Sequence, residues 1–258
     1  MHEDVVEFAE KTAREAASVL MRHFGRIARV DKKGKRDLVT DADREAEALV
    51  AERIRAAFPG DALLGEESSP HQGPAERLWI LDPLDGTTNF VYGIPHFGPS
   101  LAFYEGGRGV VGCVFNPVLD ECYVGVAGKG ATRNGRPIRC NGTTELSEAL
   151  LTTGFPYRID SLKDNNLRPF AALSPRVRGM RRLGSAALDL CYTADGRYDG
   201  FWELHLSPWD VAAGAIVARE AGCRVTDAEG GDAWLFGGSI VAAPATLAER
   251  MIEVLRGA

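Results

Sequence analysis

Asp82 and Asp85 stand three residues apart in Trp79-Ile-Leu-Asp-Pro-Leu-Asp-Gly-Thr-Thr-Asn-Phe90, directly after a run of strand-forming apolar residues. Carboxylate oxygens are hard ligands for a divalent cation such as Mg²⁺, and Gly86, Thr87 and Thr88 add N–H and O–H donors suited to a phosphate oxygen. Trp79, Ile80 and Leu81 read as the end of a buried strand. Pro83 has no N–H to give a ladder, so the chain is expected to leave the sheet at Asp82. Taken alone, the same residues also make an ordinary Asp-Gly turn with solvated carboxylates.

Three further segments carry acids at comparable places. Asp43 closes Asp37-Leu-Val-Thr-Asp-Ala-Asp43, where Thr40 and Asp43 have the spacing of a capping box at a helix start. Glu66, in Gly65-Glu-Glu-Ser68, follows the apolar run Ala62-Leu-Leu64 and emerges at a strand end or in a solvated loop. Asp210 lies in Ser207-Pro-Trp-Asp210, with Ser207 placed as N-cap, Pro208 at the first helical position and Asp210 favoured by the helix dipole. Capping or solvation explains each acid singly. Their repetition points further, because strand exits and helix starts gather at one edge of a sheet. Carboxylates gathered there repel one another unless cations neutralise them.

The elements that must position these acids follow from periodicity. Val5, Val6, Phe8, Ala9, Ala13, Ala16, Ala17, Leu20 and Phe24 recur at helical spacing, with Gly25 placed to end the helix. The basic loop Lys32-Lys33-Gly34-Lys35-Arg36 precedes a second helix from near Thr40 to before Pro59, and short strands are expected at 61–64 and 77–82. From Gly98 to Ile138, apolar runs separated by Gly, Pro and Asp predict an antiparallel meander, with a hairpin turn at Asn134-Gly135. The second half alternates. Strands are expected near 150–153, 179–183, 198–203, 223–226 and 239–243, and helices around 162–173, from Ser185, from Ser207 to Gly222, and over 246–256. The pattern predicts a mixed α+β fold with helices layered on two sheets, divided near residue 145.

The whole chain sets bounds on partners. Its 258 residues, 45% of them hydrophobic, suffice for a sizeable core. A net charge of −6 argues against a general nucleic-acid or membrane surface, so a phosphorylated substrate needs local cations to reverse the field. The five cysteines, Cys113, Cys122, Cys140, Cys191 and Cys223, show no C-x-x-C spacing and read as reduced thiols. The acidic N-terminus lacks the regions of a signal peptide, and a cytoplasmic location is the default expectation.

Taken in order, these motifs resemble the inositol monophosphatase family, the lithium-sensitive, Mg²⁺-dependent sugar-phosphate phosphatases. The likeness also covers Gly184-Ser-Ala-Ala-Leu-Asp-Leu190, Gly196-Arg-Tyr-Asp-Gly-Phe-Trp-Glu203 and Trp209-Asp-Val-Ala-Ala-Gly214. It implies a layered αβαβα sandwich, commonly as a homodimer, with residues 1–145 carrying most metal ligands and residues 146–258 completing one catalytic unit. The resemblance implies two to three Mg²⁺ ions: Glu66, Asp82 and the Leu84 carbonyl on the first, Asp82, Asp85 and Asp210 on the second, and a weaker third near Glu66. Thr87, linked to Asp43, would position or deprotonate the attacking water, with Glu66 as a further proton acceptor, and the N–H groups of Gly86 and Thr87 would receive the phosphate. On the alcohol side, Glu203 and the N–H of Ala186 match positions that contact inositol hydroxyls, with Asp85 and Asp210 beside them. Glu203 reads equally as a plain strand carboxylate, and Lys32 matches a family lysine yet, as one of a charged run, reads better as a solvated charge. His96 and His205 have no ligand or triad spacing and read as structural, and Lys163 to Arg168 as a helix surface.

The activity implied is hydrolysis of inositol 1-phosphate by water, with no covalent phosphoenzyme. Fructose 1,6-bisphosphate, alone or as a dual activity, is the alternative because Phe90-Val-Tyr-Gly-Ile-Pro95 looks similar to archaeal relatives that hydrolyse both. Histidinol phosphate and adenosine 3′,5′-bisphosphate follow. A regulatory binding protein on the same fold is the non-enzymatic alternative, and it predicts a damaged set of acids.

Overall fold

The alternation of side chains along β4, Arg77–Asp85, already defines three layers. Trp79 and Leu81 enter one apolar core and Ile80 another, so this strand is buried on both faces. The computed structural model describes residues 2–26, 30–32, 38–67 and 75–258, with backbone only for 30–32 and for 38 and 39. Asp37, Ser68, the Lys33–Arg36 part of the basic loop and the Lys32 side chain therefore lie outside the described residues.

The first outer layer is α1, Glu3–His23, with α2, Asp41–Ala57. Between them runs a short antiparallel pair, β1 at Val30–Lys32 and β2 at Leu38–Thr40, which the charged composition of this stretch does not announce. The first sheet follows: β3 at Ala62–Gly65, β4, β5 at Gly98–Glu105, β6 at Arg108–Asn116, β7 at Glu121–Val126, β8 at Gly130–Arg133 and β9 at Arg136–Ile138. These seven strands pair in sequence order, antiparallel except for β3 with β4. Asn134 and Gly135, at φ 50 and 73, make the tight turn expected of Asn-Gly between β8 and β9. The five-residue helix α3, Thr87–Val91, interrupts the meander after β4.

The second sheet is built from β10 at Leu150–Thr153, β11 at Gly179–Arg181, β12 at Gly200–Leu204, β13 at Arg224–Thr226 and β14 at Ser239–Ala243, in the order β11-β10-β12-β14-β13. Helices α5, Ala186–Ala194, and α6, Pro208–Glu220, fill the layer between the sheets, while α4, Leu167–Leu173, and α7, Ala245–Arg256, cover the far face. Phe201 and Ile240 point into the middle layer and Trp202 and Val241 into the outer one. The result is the αβαβα sandwich, a mixed fold with two sheets.

Two expectations are corrected. Pro83 does not take the chain out of the sheet: pairing shifts register after Asp82↔Ser100 and resumes at Asp85↔Gly98, so the missing N–H falls within a bulge. Both aspartates therefore stay on sheet backbone. The helix expected around 162–173 begins only at Leu167, because Asn166 at φ 68 breaks helical geometry. Its amide donates to Thr153 Oγ1 and the Gly154 carbonyl, and Trp202 Nε1 donates to its Oδ1 at 2.7 Å.

Helix α6 sits close on the first sheet because glycines make room for it. Gly112 and Gly125 are register partners on β6 and β7. A Cβ on Gly112 would come within 2.4 Å of the Ala213 carbonyl oxygen, and one on Gly125 within 2.7 Å of Val217 Cα. Since α6 carries Asp210 in its first turn, this seat sets where that acid stands. Gly112→Ala is expected to cost about 1–3 kcal/mol through overpacking, read as a lowered midpoint in thermal unfolding. Gly60→Ala, where a Cβ meets nothing within 4 Å, should leave the midpoint nearly unchanged.

Candidate active site

Glu66, Asp82, Leu84, Asp85, Gly86, Thr87 and Asp210 line one cavity of about 260 Å³, together with Tyr157, His205, Ser207 and Trp209. Three of the four acidic segments separated in sequence thus meet at one place. Asp43 stands behind this lining and is reached through Thr87, while Ala186 and Glu203 lie outside it on the side of the second sheet.

Asp43, Asp82, Asp85 and Asp210 each accept a backbone N–H. Asp82 is 2% exposed, and its Oδ1 accepts from the Leu84 N–H at 2.9 Å, a bond across the Pro83 bulge. Asp43 completes the capping box of α2: its Oδ2 accepts from Thr40 N at 2.9 Å and Thr40 Oγ1 at 2.5 Å. Its other oxygen, Oδ1, is 3.4 Å from Thr87 Oγ1, which also donates to the Leu84 carbonyl at 3.1 Å. Capping and the link to Thr87 are therefore two uses of one carboxylate. Asp210 closes the box of α6, accepting from Ser207 N at 2.6 Å. Gly86, at φ 89, starts α3, and a Cβ there would come within 2.9 Å of the His96 carbonyl oxygen, so only glycine fits this turn.

The electrostatics follow from burial and crowding. Burial, reinforced by Glu66, Asp85 and Asp210, pushes the Asp82 carboxyl well above its ordinary range. Asp85 is pushed up to about 6 by burial, opposed by the hydroxyl of Ser185 and the N–H of Ala187. Asp43 reaches about 6, also through burial, against its bonds to Thr40. Glu203 is raised well above its ordinary value by burial and by Asp189, Asp210 and Asp85, with Arg182 opposing. Among the described residues, no three His, Cys, Asp or Glu side chains close into a ready chelate. The donor set nonetheless fits a hard cation: carboxylates and one backbone carbonyl gathered around a shared cavity, with Glu66, Asp85 and Asp210 each disfavouring the ionised form of Asp82.

Some contributors carry only faint sequence signals. Glu47 follows Asp43 by one helical turn, and its Oε2 accepts from the Glu67 N–H at 2.9 Å, holding the turn that presents Glu66. Ser185 donates to Asp85 Oδ2 at 2.5 Å, beyond its expected place at a helix start. The N–H that reaches Asp85 is that of Ala187, at 2.8 Å, one residue past Ala186. His96 is buried with Nε2 3.5 Å from Asp189 Oδ1. His205 lines the cavity at φ 62, its Nε2 3.0 Å from the Asp164 carbonyl oxygen.

The comparisons with known proteins agree with this architecture. The family description that matches residues 1–258 is the inositol monophosphatase family, and the chain belongs to it. Among its relatives is a Pseudomonas aeruginosa protein described as Nus factor SuhB, 44% identical over 92% of this chain and 90% of that protein. A Rhizobium meliloti inositol-1-monophosphatase is 43% identical, over 93% of this chain and 92% of the relative. The solved inositol monophosphatase of Anabaena superposes with a TM-score of 0.90 at 39% identity, covering 99% of this chain and 96% of that one.

Raised carboxyls favour their protonated forms in the folded state. The stability they bring is full below about pH 4 and is lost as pH rises through about 6. For Asp43 the climb from 3.8 to about 6 corresponds to about 3 kcal/mol against the ionised form. In a chelator, the thermal midpoint should therefore be higher at pH 5.5 than at pH 7.5, and Asp43→Asn should reduce that difference. A midpoint that falls on going to pH 5.5 would contradict this account.

Proposed function

We propose that the protein is a Mg²⁺-dependent phosphomonoesterase that hydrolyses inositol 1-phosphate to inositol and phosphate. The observation that carries this reading is the convergence of Glu66, Asp82, Asp85 and Asp210 on one cavity with Thr87 tied back to Asp43. Membership of the inositol monophosphatase family supports it, as does the likeness to the R. meliloti enzyme. Glu66, Asp82 and the Leu84 carbonyl would hold one ion and Asp82, Asp85 and Asp210 a second, with a weaker third near Glu66. Bound Mg²⁺ would supply charge neutralisation for the phosphate and acidify water.

The chain's own residues account for the remaining steps. A threonine hydroxyl is a poor base alone, so Thr87 Oγ1 can take a proton from the attacking water only by passing its own to Asp43 Oδ1. Asp43 must be ionised for this, which sets an acid limb near pH 6. Glu66 is a second acceptor at the rim. The N–H groups of Gly86 and Thr87 face the phosphate, and Glu203 with the α5 start receives the hydroxyls of the alcohol. Attack by water releases the alcohol directly, without a phosphoenzyme.

Fructose 1,6-bisphosphate remains the alternative substrate, since the choice lies in the residues around the alcohol rather than in the acids. A second class of reading comes from the P. aeruginosa relative, described as a Nus factor. A purely regulatory role would tolerate loss of the acids, and this chain retains all of them.

Phosphate release from inositol 1-phosphate should require Mg²⁺, and Asp82→Asn should lower it at least a hundredfold. An unchanged metal-dependent rate in that variant would overturn the mechanism. Asp210→Asn should raise the Mg²⁺ concentration for half-maximal rate, while Thr87→Ala should lower kcat with little change in Mg²⁺ dependence. The kcat/KM profile should fall below about pH 6, and Asp43→Asn should remove that limb together with most of the rate.

A further inference from the structure

Asn89 is buried, and its amide nitrogen joins two parts of the chain that are remote in sequence. Nδ2 donates to the carbonyl oxygens of His96 and Leu183, each at 2.7 Å, with the Gly184 carbonyl at 3.4 Å. His96 leads into β5 of the first sheet, whereas Leu183 and Gly184 lead into α5 beneath the second. An amide with two hydrogens is the group that satisfies two carbonyls at once. A leucine would fill the space and take the amide donor away from both carbonyls.

Ser185 follows immediately. Its oxygen accepts from the Leu188 N–H at 3.4 Å, capping α5, while its hydroxyl donates to Asp85 Oδ2 at 2.5 Å. Ala187 N donates to the same Oδ2 at 2.8 Å. Capping requires only that the serine accept, so its donation to an aspartate 100 residues away is a separate function. Oδ2 thus carries two donors, and Oδ1 carries none among the described residues.

The geometry points to Asn89 and Ser185 as a two-part clasp that positions Asp85. Asn89 fixes where the start of α5 lies. Ser185 and the Ala187 N–H then hold Oδ2, so that Asp85 presents Oδ1 alone to a cation in the cavity. An aspartate restrained in this way offers one oxygen in one direction, as near-octahedral Mg²⁺ demands. The clasp rests on the proposed metal-binding reading of the cavity and adds two residues that touch neither metal nor phosphate.

Calorimetric titration of substrate-free protein with Mg²⁺, alongside the thermal midpoint in chelator, tests the clasp. Ser185→Ala should weaken Mg²⁺ binding about tenfold with little change in the midpoint, and Ser185→Thr, which keeps the hydroxyl, should restore binding to within about twofold. Asn89→Ala should weaken binding in the same sense and also raise KM for inositol 1-phosphate more than it lowers kcat. If Ser185→Ala binds Mg²⁺ as the wild type does, the clasp is only structural and the proposal fails while the metal reading stands. If the wild-type protein binds no Mg²⁺, the metal reading fails and the clasp with it. Should Asn89→Ala not fold, the Ser185 pair decides alone.

Discussion

Burial of carboxylates beside one another, around a single cavity, is the constraint on which this site is built. Asp82 and Asp85 are almost completely withdrawn from water, with Glu66 and Asp210 around the same cavity. Burial favours the protonated forms of Asp82 and Asp85, and three of the acids are held by named bonds: a bulge amide for Asp82, a serine hydroxyl and an amide for Asp85, a helix cap for Asp210. Such bonds fix geometry without neutralising charge. What remains is the cavity for which we propose a hard cation and, through it, a phosphate.

The layers exist in the form they do because that cavity draws on both sheets. Asp82 and Asp85 end a strand buried on both faces, and Asp210 begins a helix seated on Gly112 and Gly125. Glycine on two paired strands is what lets α6 approach so closely, and the approach carries the first turn of α6 to the strand end. On the other side, α5 meets the same strand end through Ser185. Middle-layer helices thus serve as rulers between the sheets. Their starts, where N–H groups have no partner within the helix, face the acids.

Much of this was legible in the residues. Apolar runs between turn residues placed the meander, helical periodicity placed α1, start and stop signals placed α2 and α6, and the capping spacings at Thr40–Asp43 and Ser207–Asp210 appear as read. Pro83 misled because absence of an N–H says only that one ladder bond is missing, and a bulge absorbs that loss as well as a strand end does. Asn166 misled because its left-handed backbone is stabilised by Trp202 and Thr153, partners far away in the chain. Glu47 and Asn89 left almost no trace, since a buried acid on a helix and an asparagine after two threonines are both ordinary in sequence.

By itself the sequence determined the element types, the layered class and the list of acids, because periodicity, capping and turn chemistry act over a few residues. Only the tertiary structure decided which acids share a cavity, which oxygen of Asp85 is occupied, and that Asp43 serves Thr87 as well as its own helix. Those outcomes depend on contacts between residues 44 to 102 positions apart. The placement of such partners is set by how helices seat on sheets, and no local spacing records that.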